Sequence, residues 1–113
     1  MTARERAGWG AVTALYAAGI WVLSSRPGDE VGLPAPWDKL AHLVSFAGLG
    51  FVAARASGDW RAGAALALGW GAIDEVHQSF VPLRQAGLDD WLADAVGGTL
   101  GALAGSRFGR RAR

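Results

Sequence analysis

The chain has 113 residues, a length that fits one domain with a core of its own and is too short for two. Hydrophobic residues make up 51% and charged residues 19%, and the mean hydropathy is +0.20. These values are closer to those of a membrane protein than to those of an average soluble domain. The chain contains no cysteine, which excludes disulfides, thiolate metal ligands and cysteine nucleophiles. The net charge of +1 decides nothing by itself, whereas its distribution along the chain is informative.

The first apolar run, residues 7–25, contains no charged side chain. At a rise of about 1.5 Å per residue it reaches about 28 Å, close to the hydrocarbon thickness of a bilayer. A basic segment precedes it, as in a signal peptide, but it lacks a convincing A-x-A cleavage site and is long for such a segment. We therefore predict a transmembrane helix over about residues 8–24.

Three shorter apolar runs follow, over residues 40–54, 62–73 and 95–106. Taken alone, the shorter runs would fit core helices of a soluble protein, which is the alternative interpretation. They reach spanning length only if the polar segments DKLAH, DEVHQ and DDWLAD form the ends of the same helices. We predict further helices over about residues 38–55, 60–78 and 89–106. The predicted fold is therefore all-α, a four-helix transmembrane bundle with short loops in a single domain, residues 1–113.

The distribution of basic residues predicts the topology of this bundle. With four spans, one side carries Arg4, Arg6, Arg55, Arg61, Arg107, Arg110, Arg111 and Arg113, whereas the other carries Arg26, Lys39 and Arg84. The positive-inside rule then places both termini in the cytoplasm. We expect a multi-pass protein of the cytoplasmic membrane, with DKLAH, DEVHQ and DDWLAD on the extracytoplasmic side.

Polar residues and glycines share one stripe of the fourth predicted helix. At about 100° per residue, Asp90, Asp94, Gly97, Gly101 and Gly105 fall on the same face. A GxxxGxxxG pattern is typical of a close-packing seam between membrane helices. The two acids are therefore predicted to face other helices rather than lipid.

The second and third helices are predicted to contribute polar residues at the same depth. On helix 3, a stripe that includes Gly71 and Gln78 is flanked by Asp74 and Glu75. On helix 2, Asp38 and His42 align. Together with helix 4 these stripes predict a polar pocket that opens outward. Ionisable groups inside the membrane boundary are candidates for function.

Structural roles are the alternative for several of these residues. Asp38 and Asp89 could be N-caps, which favour Asp, and Asp90 could act in the same way. Asp94 and His42 lie a turn inside their helices and cannot cap. Glu75 and Asp74 lie in a last helical turn, where the dipole disfavours negative charge. His77 is phased away from Glu75 and is expected to face the headgroups.

The same residues carry a resemblance to the VanZ-like family, which is named for a protein associated with resistance to the glycopeptide teicoplanin. WDKLAHLVSFAGLGF resembles its D-K-x-x-H segment, DEVHQSFVPLR its E-x-x-Q-x-F-x-P-x-R segment, and DWLADAVGGTLG its D-x-x-x-N/D-x-x-G segment. The residues carried over are Asp38, Lys39, His42, Glu75, Gln78, Phe80, Pro82, Arg84, Asp90, Asp94 and Gly97. The resemblance implies a small integral membrane protein with its site at these residues. Asp94 stands where the family often has Asn, so it adds a charge.

Three functions fit the predicted site. The first is an enzyme that acts on a lipid headgroup or cell-envelope precursor by hydrolysis or group transfer. Ionising several carboxylates that lie close together costs free energy because like charges repel. One of them should therefore act as an acid or base. The catalytic candidates are His42, Glu75, Asp90 and Asp94, with His42 oriented by Asp38. The substrate-binding candidates are Asp38, Lys39, Asp74, Gln78 and Arg84, and Gly71, Gly97, Gly101 and Gly105 are predicted to pack helices.

The other two functions involve no reaction. One is the binding of a lipid-linked cell-wall precursor or an amphiphilic drug, and the other is a purely structural salt-bridge network. A divalent cation such as Mg²⁺, Mn²⁺ or Ca²⁺ would suit the acids. Zinc would need His42 with two acids and is ranked lower. We predict membrane lipid as a partner and no nucleic acid, because the basic C-terminal RFGRRAR segment fits a topology anchor better.

Overall fold

The computed structural model describes residues 1–25, 37–81 and 87–111, which form helices and no strand. The four helices are α1 (Ala3–Ser24), α2 (Trp37–Ser57), α3 (Trp60–Gln78) and α4 (Leu88–Arg111). The prediction of an all-α, four-helix fold is confirmed.

The outer helices are longer than the apolar runs that predicted them. Helix α1 begins at Ala3 rather than near residue 8, because Thr2 caps it. The Thr2 hydroxyl oxygen accepts from the backbone N–H of Glu5 at 3.1 Å, and the hydroxyl donates to Glu5 Oε1 at 3.2 Å. A Thr-x-x-Glu pattern is the sequence signal of such a helix start. At the other end of the chain, α4 continues to Arg111, beyond the predicted residue 106.

Helix α2 is central, because it packs against each of the other three helices, and its contact with α4 is the most extensive. The α4 seam packs main chain against main chain. A methyl group on Gly97, Gly101 or Gly105 would meet the carbonyl oxygens of Leu43, Ala47 and Phe51, respectively. These glycines therefore allow the α2 and α4 backbones to touch.

Buried carboxylates and exposed large apolar side chains distinguish this bundle from an average soluble domain. The largest fully buried side chains are Phe46, Leu49, Asp74 and Asp94, so two of the four are carboxylates. On the surface, large apolar side chains are widely exposed, among them Leu15 at 74% and Leu88 at 71%. Two helices, α1 and α2, are long and apolar enough to cross a membrane.

Helix α1 is held to α3 by aromatic and polar contacts. The Trp70 indole N–H donates to the carbonyl oxygen of Ala17 at 3.2 Å. The His77 ring stacks on Trp21 with a centroid separation of 3.8 Å, and its Nε2 lies 2.8 Å from the Ser25 hydroxyl oxygen. The ring of half-buried His77 therefore packs against α1. That it faces the headgroups stays a prediction.

Candidate functional site

Three helix ends meet at one end of the bundle, which we call the acidic end. It is formed by the first turns of α2 and α4, whose side chains bond to each other, and by the last turns of α3. Its carboxylates are Asp38, Asp74, Glu75, Asp89, Asp90 and Asp94. The polar ends of the three predicted stripes, on helices 2, 3 and 4, thus come together at one level of the bundle.

His42 and Asp94 form the most deeply buried polar pair of the acidic end. The His42 Nδ1 lies 2.7 Å from Asp94 Oδ1. The Asp94 side chain is 0% exposed, and that of His42 is 16% exposed. The expected partner of His42 was Asp38, one turn away on the same helix, and this expectation is wrong. Asp94 reaches His42 instead because α4 touches the α2 backbone at Gly97, less than one turn further along.

Glu75 lies beside this pair. Its Oε2 accepts from the backbone N–H of Gly87 at 3.0 Å. One potential ligand atom from each of His42, Glu75 and Asp94 lies within 4.8 Å of those of the other two. Within the described part of the chain, Glu75 Oε1 and Asp94 Oδ2 are enclosed and have no hydrogen-bond partner. We call these three residues the His42 cluster.

Gly71 makes room for the His42 cluster on the α3 side. A methyl group at Gly71 would lie 3.2 Å from the Cβ and Oδ2 atoms of Asp94 and 3.4 Å from the Phe46 ring. The spacing is tighter than ordinary van der Waals contact. The glycine therefore lets α3 approach a carboxylate that has no exposed surface.

Lys39 forms a second group at the rim of the acidic end. Its Nζ lies 3.0 Å from Asp38 Oδ2, 3.1 Å from Asp89 Oδ2 and 2.5 Å from Asp90 Oδ1. An ammonium has three N–H donors, so these carboxylates can use all of them. An anion approaching Lys39 would have to displace one of the carboxylates.

Asp38 and Asp89 were considered as N-caps, and the structure contradicts this interpretation. Helix α2 begins at Trp37 and helix α4 at Leu88, so both acids lie inside the first turn. Their carboxylates form ion pairs with Lys39. Acids in a first turn still interact favourably with the positive end of the helix dipole.

A comparison with protein families identifies the chain. The model of the family described as VanZ/LLP1 matches residues 7–108. The chain belongs to the VanZ/LLP1 family. This match confirms the resemblance to VanZ-like proteins over nearly the whole chain. No curated protein and no solved structure matches the chain.

The remaining predicted site residues of this VanZ/LLP1 protein lie on or beyond α3. Asp74 and Gln78 are buried, with 1% and 2% of their surface exposed. Phe80, in the segment that follows α3, is 83% exposed. Arg84 and Pro82, which were carried over from the family resemblance, lie outside the described residues.

One polar contact at this end of the VanZ/LLP1 bundle was missed from the sequence. The Ser25 hydroxyl donates to the Trp21 carbonyl oxygen at 2.7 Å and also lies against His77. Trp21 and Ser25 are four residues apart and therefore share a helix face. That spacing was visible in the sequence, but the sequence did not show which residue of α3 completes the contact.

Proposed function

We propose that the chain is a multi-pass protein of the cytoplasmic membrane with its acidic end on the extracytoplasmic side. Support comes from the apolar surface and the buried carboxylates of the bundle and from two helices of spanning character. Further support is the location of arginines at the opposite end, where α2 ends near Arg55 and α3 begins near Arg61. Basic residues favour the cytoplasmic side.

Within this topology, we propose that the acidic end carries out hydrolysis or group transfer on a lipid headgroup or a lipid-linked cell-envelope precursor. The observation that carries the proposal is the bond between His42 and the fully buried Asp94. An imidazole oriented by a buried carboxylate is a recurrent arrangement for a general base. Placing such a pair inside an apolar bundle is costly for stability alone, which favours a functional role.

The roles follow from the two ring nitrogens of His42. Asp94 holds Nδ1, so the other ring nitrogen, Nε2, is the atom that accepts a proton from water or a substrate hydroxyl. Glu75 is the second acid or base, and Asp90 positions Lys39. Proton transfer by a positioned group contributes about 10²–10⁴-fold to a rate. Asp38, Asp74, Gln78, Lys39 and Arg84 are the proposed substrate-binding residues.

The second candidate function is binding without reaction, and the environment of Lys39 favours it. Because three carboxylates surround this ammonium, the described side chains of the acidic end carry an excess of negative charge. Such a surface suits an amphiphile with a positively charged amine better than a bare anion. A link from this binding function to glycopeptide resistance is part of the proposal and is suggested by the family name alone.

One set of variants separates catalysis, binding and a structural network. His42→Gln and Asp94→Asn remove the pair while keeping similar side-chain volumes. The control is Asp59→Asn, which removes a carboxylate at the opposite end but keeps an oxygen that can cap α3 as Asp59 does. Folded yield in detergent, the cellular lipid and muropeptide profile, and the binding of a lipid-linked precursor or amphiphilic drug would be measured for each.

The outcomes distinguish catalysis, binding and a structural network. Normal yield with loss of a product that the wild-type chain generates supports catalysis. Normal yield, no product and loss of binding of a lipid-linked precursor or amphiphilic drug supports the binding function. A collapse of yield in both variants, but not in Asp59→Asn, supports a structural network and overturns the catalytic proposal.

The proposed orientation has a direct test, because the chain contains no cysteine. Ser79→Cys places a thiol at the acidic end and Ser57→Cys places one at the opposite end, and both positions are exposed. A membrane-impermeant maleimide should label Ser79→Cys in intact cells and Ser57→Cys only after lysis. The reverse pattern would place the acidic end in the cytoplasm.

A further inference from the structure

The His42 cluster has the composition and the geometry of a metal centre. One ring nitrogen of His42 and one carboxylate oxygen each from Glu75 and Asp94 lie within 4.8 Å of one another. Nitrogen and oxygen ligands bind Zn²⁺ at about 2.0–2.2 Å, so two ligands at the tetrahedral angle lie about 3.4 Å apart. Side-chain rotations that move the ligand atoms by about 1 Å would bring them to that separation.

Two carboxylate oxygens of this cluster have no hydrogen-bond partner among the described residues. Asp94 is 0% exposed, and its Oδ1 is taken by His42, whereas its Oδ2 is enclosed without a partner among the described residues. Glu75 shows the same division, since Oε2 accepts from Gly87 and Oε1 is enclosed without a described partner. Enclosed carboxylate oxygens are costly unless they are hydrogen-bonded or bind a cation.

The surroundings hold the candidate ligands in place. The Gly87 N–H fixes the Glu75 carboxylate, and orientation of this kind by an outer partner is typical of metal ligands. Lys39 is the described cation of the acidic end, and its contacts are with Asp38, Asp89 and Asp90. Lys39 therefore neutralises carboxylates outside the His42 cluster. The cluster itself contains two carboxylates and one imidazole.

We propose that His42, Glu75 and Asp94 bind a divalent transition-metal ion, of the Zn²⁺ or Co²⁺ type, at the acidic end of the bundle. The imidazole favours such ions over Mg²⁺ and Ca²⁺, which take oxygen ligands. This reverses the ranking expected from the sequence, in which the acids alone suggested Mg²⁺, Mn²⁺ or Ca²⁺. A bound ion would polarise a water molecule or a phosphoryl oxygen. Metal binding does not depend on the proposed catalysis, and it would make His42 a ligand rather than the base.

The test uses the full chain without an affinity tag, purified in detergent and stripped with a chelator. Binding of Zn²⁺, Co²⁺ and Mg²⁺ is measured by calorimetry, with the visible absorption of Co²⁺ as a report on its ligands. We expect one equivalent of Zn²⁺ or Co²⁺ per chain and much weaker binding of Mg²⁺. His42→Gln, Glu75→Gln and Asp94→Asn should each weaken Zn²⁺ binding at least about tenfold, and Asp59→Asn should leave it unchanged.

A second variant keeps the test decisive if the buried Asp94→Asn change prevents folding. His42→Cys replaces the imidazole with a thiolate ligand, which should add an intense sulfur-to-metal band to the Co²⁺ spectrum. Folded wild-type chain that binds no Zn²⁺ or Co²⁺ would overturn the proposal. Binding that is unchanged in His42→Gln and Glu75→Gln, or Mg²⁺ binding as tight as that of Zn²⁺, would also overturn it.

The metal site and the proposed catalysis can fail separately. Stoichiometric metal binding without any lipid or muropeptide product would leave the site standing and remove the reaction. A product formed equally well by the stripped chain with and without added metal, when no metal binding is detected, would do the reverse.

Discussion

Gly101 lies on the seam where α4 crosses α2, and a methyl group there would collide with the carbonyl oxygen of Ala47. A helical carbonyl cannot rotate away, so the two helices would have to separate. Overpacking costs about 1–3 kcal/mol, and collision with main chain puts Gly101→Ala near the upper value. Alanine favours a helix over glycine by about 1 kcal/mol. We therefore expect a net loss of about 2 kcal/mol in the free energy of unfolding.

Gly69→Ala is the matched control for this prediction. Gly69 lies within α3, and no atom lies within 4 Å of the position that a methyl group would take. The gain in helix propensity is the same, about 1 kcal/mol, so the difference between the two variants isolates the collision. Unfolding in mixed detergent micelles, followed by far-ultraviolet circular dichroism, measures both. If Gly101→Ala and Gly69→Ala had the same midpoint of unfolding, the close contact between the α4 and α2 backbones would be refuted.

Three further contacts can be tested in the same assay. Lys39→Gln should lower the midpoint of unfolding, because it leaves carboxylates facing each other. Adding Asp90→Asn should restore part of the loss. If the effects of the two substitutions on the midpoint simply added, the two side chains would not be coupled. His77→Ala should cost about 1–3 kcal/mol through loss of its stack on Trp21 and its hydrogen bond, and His77→Phe less; equal losses would show that the stack contributes nothing. Thr2→Ala should cost about 0.5–1 kcal/mol and speed amide exchange at Glu5, and unchanged exchange would argue against the cap.

The helices were predictable because apolar runs and charge positions mark them independently. The predicted span over residues 60–78 coincides with α3, whose bounds are Trp60–Gln78. The start of α1 was missed because hydropathy ignores capping, and the arginines of its first turn hide the helix from an apolar count. Its Thr2 and Glu5 pattern was readable from the sequence, so a search for capping boxes would have found it.

The sequence predicted which residues form the site but not which of their side chains contact each other. Helical phase placed His42 and Asp94 on inward stripes, but phase within one helix cannot say which residue on another helix lies opposite. Asp38 was chosen as the partner of His42 because it is one turn away on the same helix. The structure pairs Asp38 with Lys39 and His42 with Asp94, contacts set by the depth at which α2 and α4 cross.

The seam and the site belong to one structural unit. Gly97 follows Asp94 by less than one turn, and a methyl group at Gly97 would collide with the carbonyl oxygen of Leu43, next to His42. Gly105, on the same seam, lies about 12 Å further along the helix. Gly97→Ala should therefore lengthen the bond between His42 and Asp94, whereas Gly105→Ala should not, although both should lower stability.

The imidazole ¹⁵N and ¹H signals report this bond directly. The chain has only two histidines, so a His77→Phe background leaves His42 as the single source. The His77→Phe chain should show a strongly hydrogen-bonded Nδ1 signal that Gly105→Ala keeps and Gly97→Ala loses. An equal change in both variants would mean that the seam sets stability without setting the geometry of the site.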